Sequence, residues 1–209
     1  MHKDNLSSIL PACQADYQTS APLIANTMTA LADRLFGGGN PQKGLRVLQQ
    51  LFIRRGNRFS FQFTDVVRTE GQVVGVAVSY PGKMLGRLGF SMALQLWKIY
   101  GSLEFGRFVR RSLPLAEIRE ARVGDYFINT LSVAPSWQGQ CIGTALLDFL
   151  ERKAKRLRLR TCALSVDLGN HRARSLYERR GYEVVETIEA KRLKAIGGFG
   201  GHHRMVKVI

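Results

Sequence analysis

Apolar runs and alternating apolar positions along the chain predict a set of short strands. Residues 59–67 and 72–80 are rich in Val, Phe and Tyr and are joined through Glu70 and Gly71, which predicts an antiparallel hairpin. Residues 126–133 and 162–167 are continuous apolar runs, a pattern typical of buried strands. Three shorter strands are predicted elsewhere, at residues 6–12, 183–188 and 202–209.

Apolar residues at three- and four-residue spacing predict helices between these strands. One stripe runs from Leu23 to Leu35, with Asp16 as its expected N-cap and the glycines at 37–39 as its end. Asn40 and Pro41 are typical of an N-cap and a first helical residue, so they predict the start of a second helix. Another apolar-periodic segment follows at residues 145–150, after the strand predicted at 126–133.

Residues 80–126 form an unusually long connection between the third and fourth predicted strands, since about 45 residues in a compact domain normally have structure of their own. Apolar residues predict two amphipathic helices there, separated near Gly101. Such an insert is either additional core covering a sheet face or a lid over a substrate site. A membrane-surface helix is the weaker interpretation, because Arg87 and Lys98 are too few to make a strongly basic face.

Length and composition fit a single α/β domain over residues 1–209. The chain is 45% hydrophobic and contains no apolar run of the roughly 18 residues that a membrane span needs. The N-terminus lacks the pattern of a signal peptide, so we expect a cytoplasmic protein. Cys13, Cys141 and Cys162 have no Cys-x-x-Cys spacing, which indicates neither a disulfide framework nor a zinc site. Adjacent His202 and His203 would point to opposite sides of a strand, which disfavours a shared metal.

The formal net charge is +15, from 31 Lys and Arg against 16 Asp and Glu. A positive charge of this size attracts polyanions, including phosphorylated cofactors, nucleic acids and anionic membrane surfaces. The net charge alone does not indicate which of these the protein binds. The densest basic cluster, residues 152–160, is typical of a solvated helix C-terminus. Nucleic acid is therefore a possible partner that no motif indicates.

A glycine-containing turn connects the strand at 126–133 to the helix that follows it. Gly139 and Gly143 allow a ligand to approach the backbone closely. The first N–H groups of a helix have no partner within the helix, and the helix dipole adds positive potential there, so such a turn can bind phosphate. By itself, this pattern also fits an ordinary tight connection.

Two motifs in order make the chain resemble the GNAT superfamily of acyl-CoA-dependent N-acyltransferases. The first is Gln138-Gly-Gln-Cys-Ile-Gly143, with Cys141 where the family usually has its first glycine. The second comprises Asn170, Ala173, Leu176-Tyr-Glu178 and Gly181-Tyr182. The resemblance implies a mixed α/β fold with a mostly antiparallel sheet flanked by helices, here with a helical insert between the third and fourth strands.

The resemblance also implies a chemistry and a set of binding residues. The protein would transfer an acetyl group from acetyl-CoA to a primary amine, on a small molecule or a protein, by direct attack within a ternary complex and without a metal. Backbone groups of Leu131 and Val133 and the side chain of Asn170 would contact the pantetheine arm. The N–H of Val133 would stabilise the oxyanion, and Tyr177 would protonate the leaving thiolate. The pyrophosphate would bind the turn formed by Gln138, Gly139, Gln140, Cys141, Ile142, Gly143 and Thr144.

The general base is the point where the chain departs from the family pattern. An ordinary primary amine, with a pKa of about 10.4, is protonated at neutral pH and must lose a proton before attack. Members of the family often have a Glu on the strand before the turn, and residues 126–133 contain no carboxylate. Asp125, Asp167 and a chain of waters remain as alternatives. The alternative function is a catalytically weak acyl-CoA-binding sensor or an RNA-associated module.

Overall fold

A computed structural model describes residues 8–113, 121–189 and 200–209. Their strands form one seven-stranded sheet in the order β1-β2-β3-β4-β5-β7-β6. The strands are β1 (Ile9–Pro11), β2 (Thr64–Thr69), β3 (Gln72–Pro81), β4 (Asp125–Val133), β5 (Thr161–Asp167), β6 (Glu183–Glu189) and β7 (Gly201–Val208). All neighbours are antiparallel except β4 and β5, which are parallel. The predicted mixed and mostly antiparallel sheet is therefore confirmed.

Six α-helices flank the sheet in the described ranges. They are α1 (Tyr17–Asn26), α2 (Thr29–Leu35), α3 (Pro41–Phe52), α4 (Leu85–Ser112), α5 (Ile142–Arg156) and α6 (His171–Arg179). As predicted, Asn40 caps α3, because its side chain accepts the N–H of Lys43 at 3.0 Å. The long helix α4 lies between β3 and β4, so the helical insert is also confirmed. Residues 6–7 of the predicted first strand and residues 114–120 of the insert lie outside the described ranges.

The N-terminal helix differs from its prediction in two ways. The apolar stripe from Leu23 to Leu35 belongs to two helices, because α1 ends where the Thr27 hydroxyl donates to the Ile24 carbonyl at 2.8 Å. Asp16 precedes α1 but does not cap it with its side chain. Its carboxylate instead accepts the Cys13 N–H at 2.8 Å and forms an ion pair with Arg68 at 2.6 Å. The expectation that Asp16 caps this helix with its side chain was wrong, since Arg68, a half-buried cation on β2, competes for that carboxylate.

The first strand of the hairpin also begins later than predicted. Residues 59–63 do not join it, because Ser60 starts a 3-10 turn in which its hydroxyl accepts the N–H of Gln62 at 3.2 Å. The turn between β2 and β3 is as predicted. Glu70 and Gly71 both have positive φ, at 51° and 78°, as a two-residue hairpin turn requires.

Two apolar layers cover the two faces of the sheet. One contains the buried faces of α1, α3 and α4 together with Val76, Val78 and Phe127 from the sheet. The other contains the buried faces of α5 and α6 together with Ala77, Ile128 and Leu164. Because side chains alternate along each strand, neighbouring residues of β3 and β4 contribute to opposite layers. The insert and the glycine-containing turn therefore lie on different sides of the sheet.

Helix α4 is fixed to the first layer by its inner face. Leu88, Leu96 and Phe108 are buried there. The Tyr100 hydroxyl donates to the carbonyl of Phe36 at 2.6 Å, which ties α4 to the end of α2. Gly101 has non-helical angles (φ 71°, ψ 172°), so α4 consists of two helical segments, as the sequence predicts. No helix in the described ranges is long and apolar enough to cross a membrane.

The docking of α4 can be tested with two leucines that are two positions apart and lie on opposite faces of the helix. Leu96 is completely buried, so Leu96→Ala should lower the free energy of unfolding by about 2 to 5 kcal/mol. Leu94 is 49% exposed, so Leu94→Ala should change it by only about 0.5 kcal/mol. Urea unfolding of the two variants measures both values. Equal losses would show that α4 does not dock by the Leu96 face.

Candidate functional site

The sheet forks between its two parallel strands. β4 and β5 pair through only four residue pairs, from Asp125 with Thr161 to Ile128 with Leu164. Beyond this point β4 continues beside β3, while β5 continues beside β7. The last residues of both strands therefore border a wedge-shaped gap, which we call the fork. The fork is open at the carboxyl ends of β4 and β5. Such an edge can accept an extended ligand as an additional strand.

Hydrogen bonding to β3 decides which backbone groups of β4 point into the fork. The N–H of Ala134 donates to the carbonyl of Val74 at 2.8 Å. Since bonded and non-bonded pairs alternate in an antiparallel ladder, Ser132 also bonds to β3, and the backbone groups of Leu131 and Val133 point away from it. Consistent with this, the Val133 carbonyl accepts a hydrogen bond from the Gln138 side chain at 3.1 Å. The two residues predicted to contact pantetheine thus present their backbone groups to the fork.

The turn after β4 exposes the N-terminus of α5. Gly139 has a φ of 82°, and the last residue before the helix, Cys141, has a left-handed backbone (φ 61°, ψ 6°). The Cys141 side chain makes no capping hydrogen bond, and the first intrahelical bond is from the Ala145 N–H to the Cys141 carbonyl at 3.0 Å. The N–H groups of residues 142–144 therefore remain available to an anion at the positive end of the helix dipole.

Gly143 lies where two other elements meet this turn. A β-carbon there would be 3.4 Å from Leu176 Cδ2 on α6 and 3.7 Å from Leu131 Cδ2 on β4. These are ordinary van der Waals distances. The glycine is therefore close to both the fork and α6, but it is not a position where a methyl group would clash.

Gln138 and Arg172 connect the turn to α6. Besides its bond to Val133, the Gln138 side chain accepts a hydrogen bond from Arg172 Nη1 at 2.7 Å. Arg172 is exposed and, within the described part of the chain, forms no salt bridge, so its charge is not compensated beside the turn. Arg172 was not among the site residues predicted from the sequence. The one feature of the sequence that could have indicated a role for Arg172 is its positive charge two residues after Asn170.

Asn170 and Tyr177 occupy two different environments on α6. The Asn170 side chain caps the helix by accepting the Ala173 N–H at 3.1 Å, which leaves its amide nitrogen as an exposed donor. Tyr177 is buried, with its ring 6.0 Å from that of Tyr182. Burial raises the pKa of Tyr177 to about 12. Among the described residues the phenol has no hydrogen-bond partner, so it stays a neutral donor at physiological pH.

The two candidate carboxylates lie at opposite ends of the fork. Asp125 is at its closed end, where it pairs with Arg204 at 2.5 Å and accepts the Thr161 hydroxyl at 3.0 Å. At about 3.3 Å per residue, Asp125 is roughly 26 Å along β4 from Val133, too far to act on a group bound there. Asp167 is at the open end of β5, half-buried, and accepts the Gly169 N–H at 2.8 Å. Of these two carboxylates, only Asp167 borders the open gap.

A polar cluster marks the point where β4 diverges from β5. The register with β3 shifts between Val78 and Ser79, which leaves Asn129 as the extra residue of a β-bulge. The Asn129 side-chain oxygen accepts hydrogen bonds from Tyr80 and Arg58, each at 3.1 Å. Asn129 stands in the part of β4 where the family resemblance implies a glutamate. The absence of a carboxylate from residues 126–133 could be seen in the sequence, but the bulge at Asn129 and its two hydrogen-bond partners could not.

This architecture defines a class of protein that can hold an extended, phosphate-bearing ligand along the end of β4. The particular family follows from the sequence, because the family model described as "Acetyltransferase (GNAT) family" matches residues 25–182, more than half of the chain. The chain therefore belongs to the GNAT acetyltransferase family. The match begins within α1, well before the two motifs from which the resemblance was inferred.

Solved structures share the fold. A crystal structure of an acetyltransferase is 24% identical and aligns over 97% of this chain and 100% of that one, with a TM-score of 0.72. An N-acetyltransferase from Staphylococcus aureus Mu50 is 19% identical over 96% and 100% of the two chains, with a TM-score of 0.74. The PaiA N-acetyltransferase from Thermoplasma acidophilum, in complex with coenzyme A, is 13% identical over 97% and 98%, with a TM-score of 0.54. No curated protein matches the chain in sequence.

The left-handed backbone at Cys141 predicts a stability change. A β-carbon in this conformation costs about 1 to 2 kcal/mol, and glycine loses about 0.5 to 1 kcal/mol more entropy on folding. Cys141→Gly should therefore raise the free energy of unfolding by up to about 1 kcal/mol. Cys141→Ala is the matched control, because it removes the sulfur but keeps the β-carbon and should give no gain. Chemical denaturation that shows equal stability for the Gly and Ala variants would contradict the assigned strain.

Proposed function

We propose that the protein is an N-acetyltransferase that transfers an acetyl group from acetyl-CoA to a primary amine by direct attack within a ternary complex. The observation that carries this proposal is the fork, whose open edge on β4 leads directly into the exposed N–H groups at the start of α5. An extended arm with a pyrophosphate at one end matches both features. The relative from Thermoplasma acidophilum is in complex with coenzyme A and has the same fold, which supports the choice of cofactor.

In this proposal the turn residues Gln138, Gly139, Gln140, Cys141, Ile142, Gly143 and Thr144 hold the pyrophosphate. Backbone N–H groups do this without a particular side chain, which is why Cys141 can replace a glycine. Arg172 adds a cation beside the same phosphates, and the exposed amide of Asn170 donates to the pantetheine arm. The backbone groups of Leu131 and Val133 pair with that arm as a neighbouring strand would.

The reaction joins the amine nitrogen to the thioester carbonyl carbon and breaks the carbon–sulfur bond. The N–H of Val133 donates to the carbonyl oxygen as it becomes negative, and a base takes the proton released by the attacking amine. Asp167, directly or through water, is the proposed base, since Asp125 is held by Arg204 at the closed end of the fork. The products are the N-acetylated amine and free coenzyme A.

Tyr177 is the proposed acid toward the leaving sulfur. The pKa of Tyr177, about 12, is higher than that of an ordinary thiol by some 3.5 units. This difference is equivalent to roughly 5 kcal/mol. A complete proton transfer before the carbon–sulfur bond breaks would therefore be unfavourable. A hydrogen bond that strengthens as the sulfur gains charge avoids this cost, since charge-assisted bonds are about twice as strong as neutral ones.

One observation favours the alternative of a catalytically weak acyl-CoA-binding sensor. The open half of β4, residues 129–133, carries no carboxylate, and Asn129 is engaged by Tyr80 and Arg58. Release of free thiol from acetyl-CoA, measured with a panel of small amines and amine-bearing peptides, separates the two functions. Amine-dependent thiol release supports the enzyme. Tight binding of acetyl-CoA without turnover on any amine would support the sensor. A cytoplasmic location stays a prediction.

The position of the cofactor can be tested at Gly143. Gly143→Pro removes one N–H from the first turn of α5 at a position where helices tolerate proline, and should weaken coenzyme A binding at least about tenfold. Gly143→Ala keeps the N–H and places its methyl group 3.4 Å from Leu176, so it should bind nearly as the wild type does. Calorimetry with coenzyme A measures both affinities. Equal affinity for the proline and alanine variants would show that this N–H does not contact the cofactor.

The acid role of Tyr177 makes a second prediction. Tyr177→Phe preserves the packing against Tyr182 and removes the hydroxyl, so turnover should fall by about 100-fold while coenzyme A affinity changes little. A raised pKa means that the phenol stays protonated until the pH nears 12, so wild-type turnover should show no alkaline loss from Tyr177 between about pH 7 and 10. Steady-state thiol release over this range measures both effects. Near-wild-type turnover of the Phe variant would make Tyr177 a packing residue.

A further inference from the structure

The outer face of the first segment of α4 carries large apolar side chains in contact with solvent. Phe90 is 69% exposed, and Leu94 and Trp97 are each 49% exposed. Their spacing of four and then three residues places them in one stripe along the helix. The opposite stripe contains Leu88 and Leu96, which are buried against the protein.

This segment is therefore apolar on both sides. An apolar surface on the buried side is expected, because that side fixes the helix to the protein. On a solvated helix the other side is normally polar, and a contiguous exposed group of Phe, Leu and Trp marks a surface that another molecule covers. Isolated exposed leucines need no such explanation, but three large side chains in one stripe do.

Charge along the stripe indicates the kind of molecule that covers it. Arg87 precedes Phe90 by three residues and Lys98 follows Leu94 by four, so both cations lie on the same side of the helix as the stripe, and both are exposed. Residues 71–103 contain no Asp or Glu. The nearest acid on α4, Glu104, is already paired with Lys43 at 2.6 Å. The stripe is thus apolar and cationic, and this segment of α4 carries no acidic residue.

We propose that the α4 outer face, defined as Phe90, Leu94 and Trp97 with Arg87 and Lys98, binds the surface of an anionic lipid bilayer. Phe and Leu would enter the boundary between head groups and acyl chains. Trp97 would lie at the head-group level, where tryptophan is enriched in membrane proteins, while Arg87 and Lys98 contact the anionic lipids. The helix lies on the membrane and does not span it. From the sequence, a membrane-surface helix was the weaker interpretation because two cations do not make a strongly basic face, and the exposed apolar stripe supplies the apolar contact that favours it here.

Two other occupants fit the observations less well. A second copy of the chain would bring together two molecules that each carry +15, and the same cations would face one another across the stripe. A nucleic acid could pair its phosphates with the two cations. Phosphates would not bury the apolar side chains, however, so Leu94 would stay exposed to water. An anionic bilayer satisfies both the charge and the apolar area.

Vesicle binding tests this proposal with the full chain. Co-sedimentation with phosphatidylcholine vesicles containing phosphatidylserine should exceed that with phosphatidylcholine alone and should fall as salt is raised. Phe90→Ser with Trp97→Ser should reduce binding to the anionic vesicles by about tenfold or more. The control Val208→Ser removes an apolar side chain that is 78% exposed at the end of β7, and it should bind as the wild type does.

A charge-reversal pair separates the local surface from the overall charge. Arg87→Glu with Lys98→Glu should reduce binding about tenfold or more. Lys155→Glu with Arg156→Glu changes the net charge equally on the exposed end of α5, which packs on the other face of the sheet, and should have a smaller effect. Equal losses for the two pairs would overturn the proposal in favour of a non-specific effect of net charge.

Fluorescence gives a readout at the surface itself. The chain has two tryptophans, so Trp137→Phe leaves Trp97 as the only one, and its emission should shift to shorter wavelength with anionic vesicles. If that variant does not fold, co-sedimentation still decides the question. Unchanged Trp97 emission in a vesicle-bound sample would overturn the proposal. A dimer in light scattering, or an RNA complex, that Phe90→Ser with Trp97→Ser abolishes would assign the surface to that partner instead.

Discussion

The candidate site exists because β4 and β5 are each paired with a different neighbouring strand, so the sheet divides between them. β4 is held to β3 along its length, and β5 is held to β7, so the two parallel strands can stay paired only near their beginnings. Backbone groups beyond Ile128 are then left without a strand partner on one side, and unpaired edge groups favour another extended chain. The bulge at Asn129 lies where the divergence begins, and bulges both bend a strand and end its pairing.

A buried ion pair holds the closed end of the fork together, and the N-termini of two helices lie at its open end. Asp125 on β4 and Arg204 on β7 are both almost completely buried and pair across β5, so removing either partner would leave an uncompensated buried charge. At the open end, the N-termini of α5 and α6 meet around Gln138, which contacts both Val133 and Arg172. The strands therefore separate toward the donors and the positive charge that a phosphate-bearing cofactor requires.

The two proposed surfaces lie on different sides of the sheet. The turn proposed to bind pyrophosphate leads into α5, which packs on the layer that contains Ile128 and Leu164. In contrast, α4 packs on the layer that contains Val76 and Phe127. A bilayer against Phe90 and Trp97 would therefore not cover the N-terminus of α5. The proposed acetyl-CoA site would stay open to solvent while the protein lies on a membrane. Whether α4 also selects the acceptor, as the lid interpretation implies, stays a prediction.

The features that could be predicted from the sequence alone depend on local interactions. The hairpin turn at Glu70 and Gly71, the cap at Asn40 and the turn from Gln138 to Gly143 depend on backbone preferences of a few adjacent residues, so their patterns were sufficient. Contacts between groups that are distant in the sequence could not be predicted in this way, because they depend on how the elements pack together. Asp16 bonds to Arg68 on β2 instead of capping its helix, and Asn129 bulges beside Arg58.

The two stripes of α4 have similar apolar composition, and only the packing of Leu96 against the protein leaves Trp97 exposed. Spacing shows that two residues share a face of a helix, but which face is buried depends on contacts that are remote in sequence.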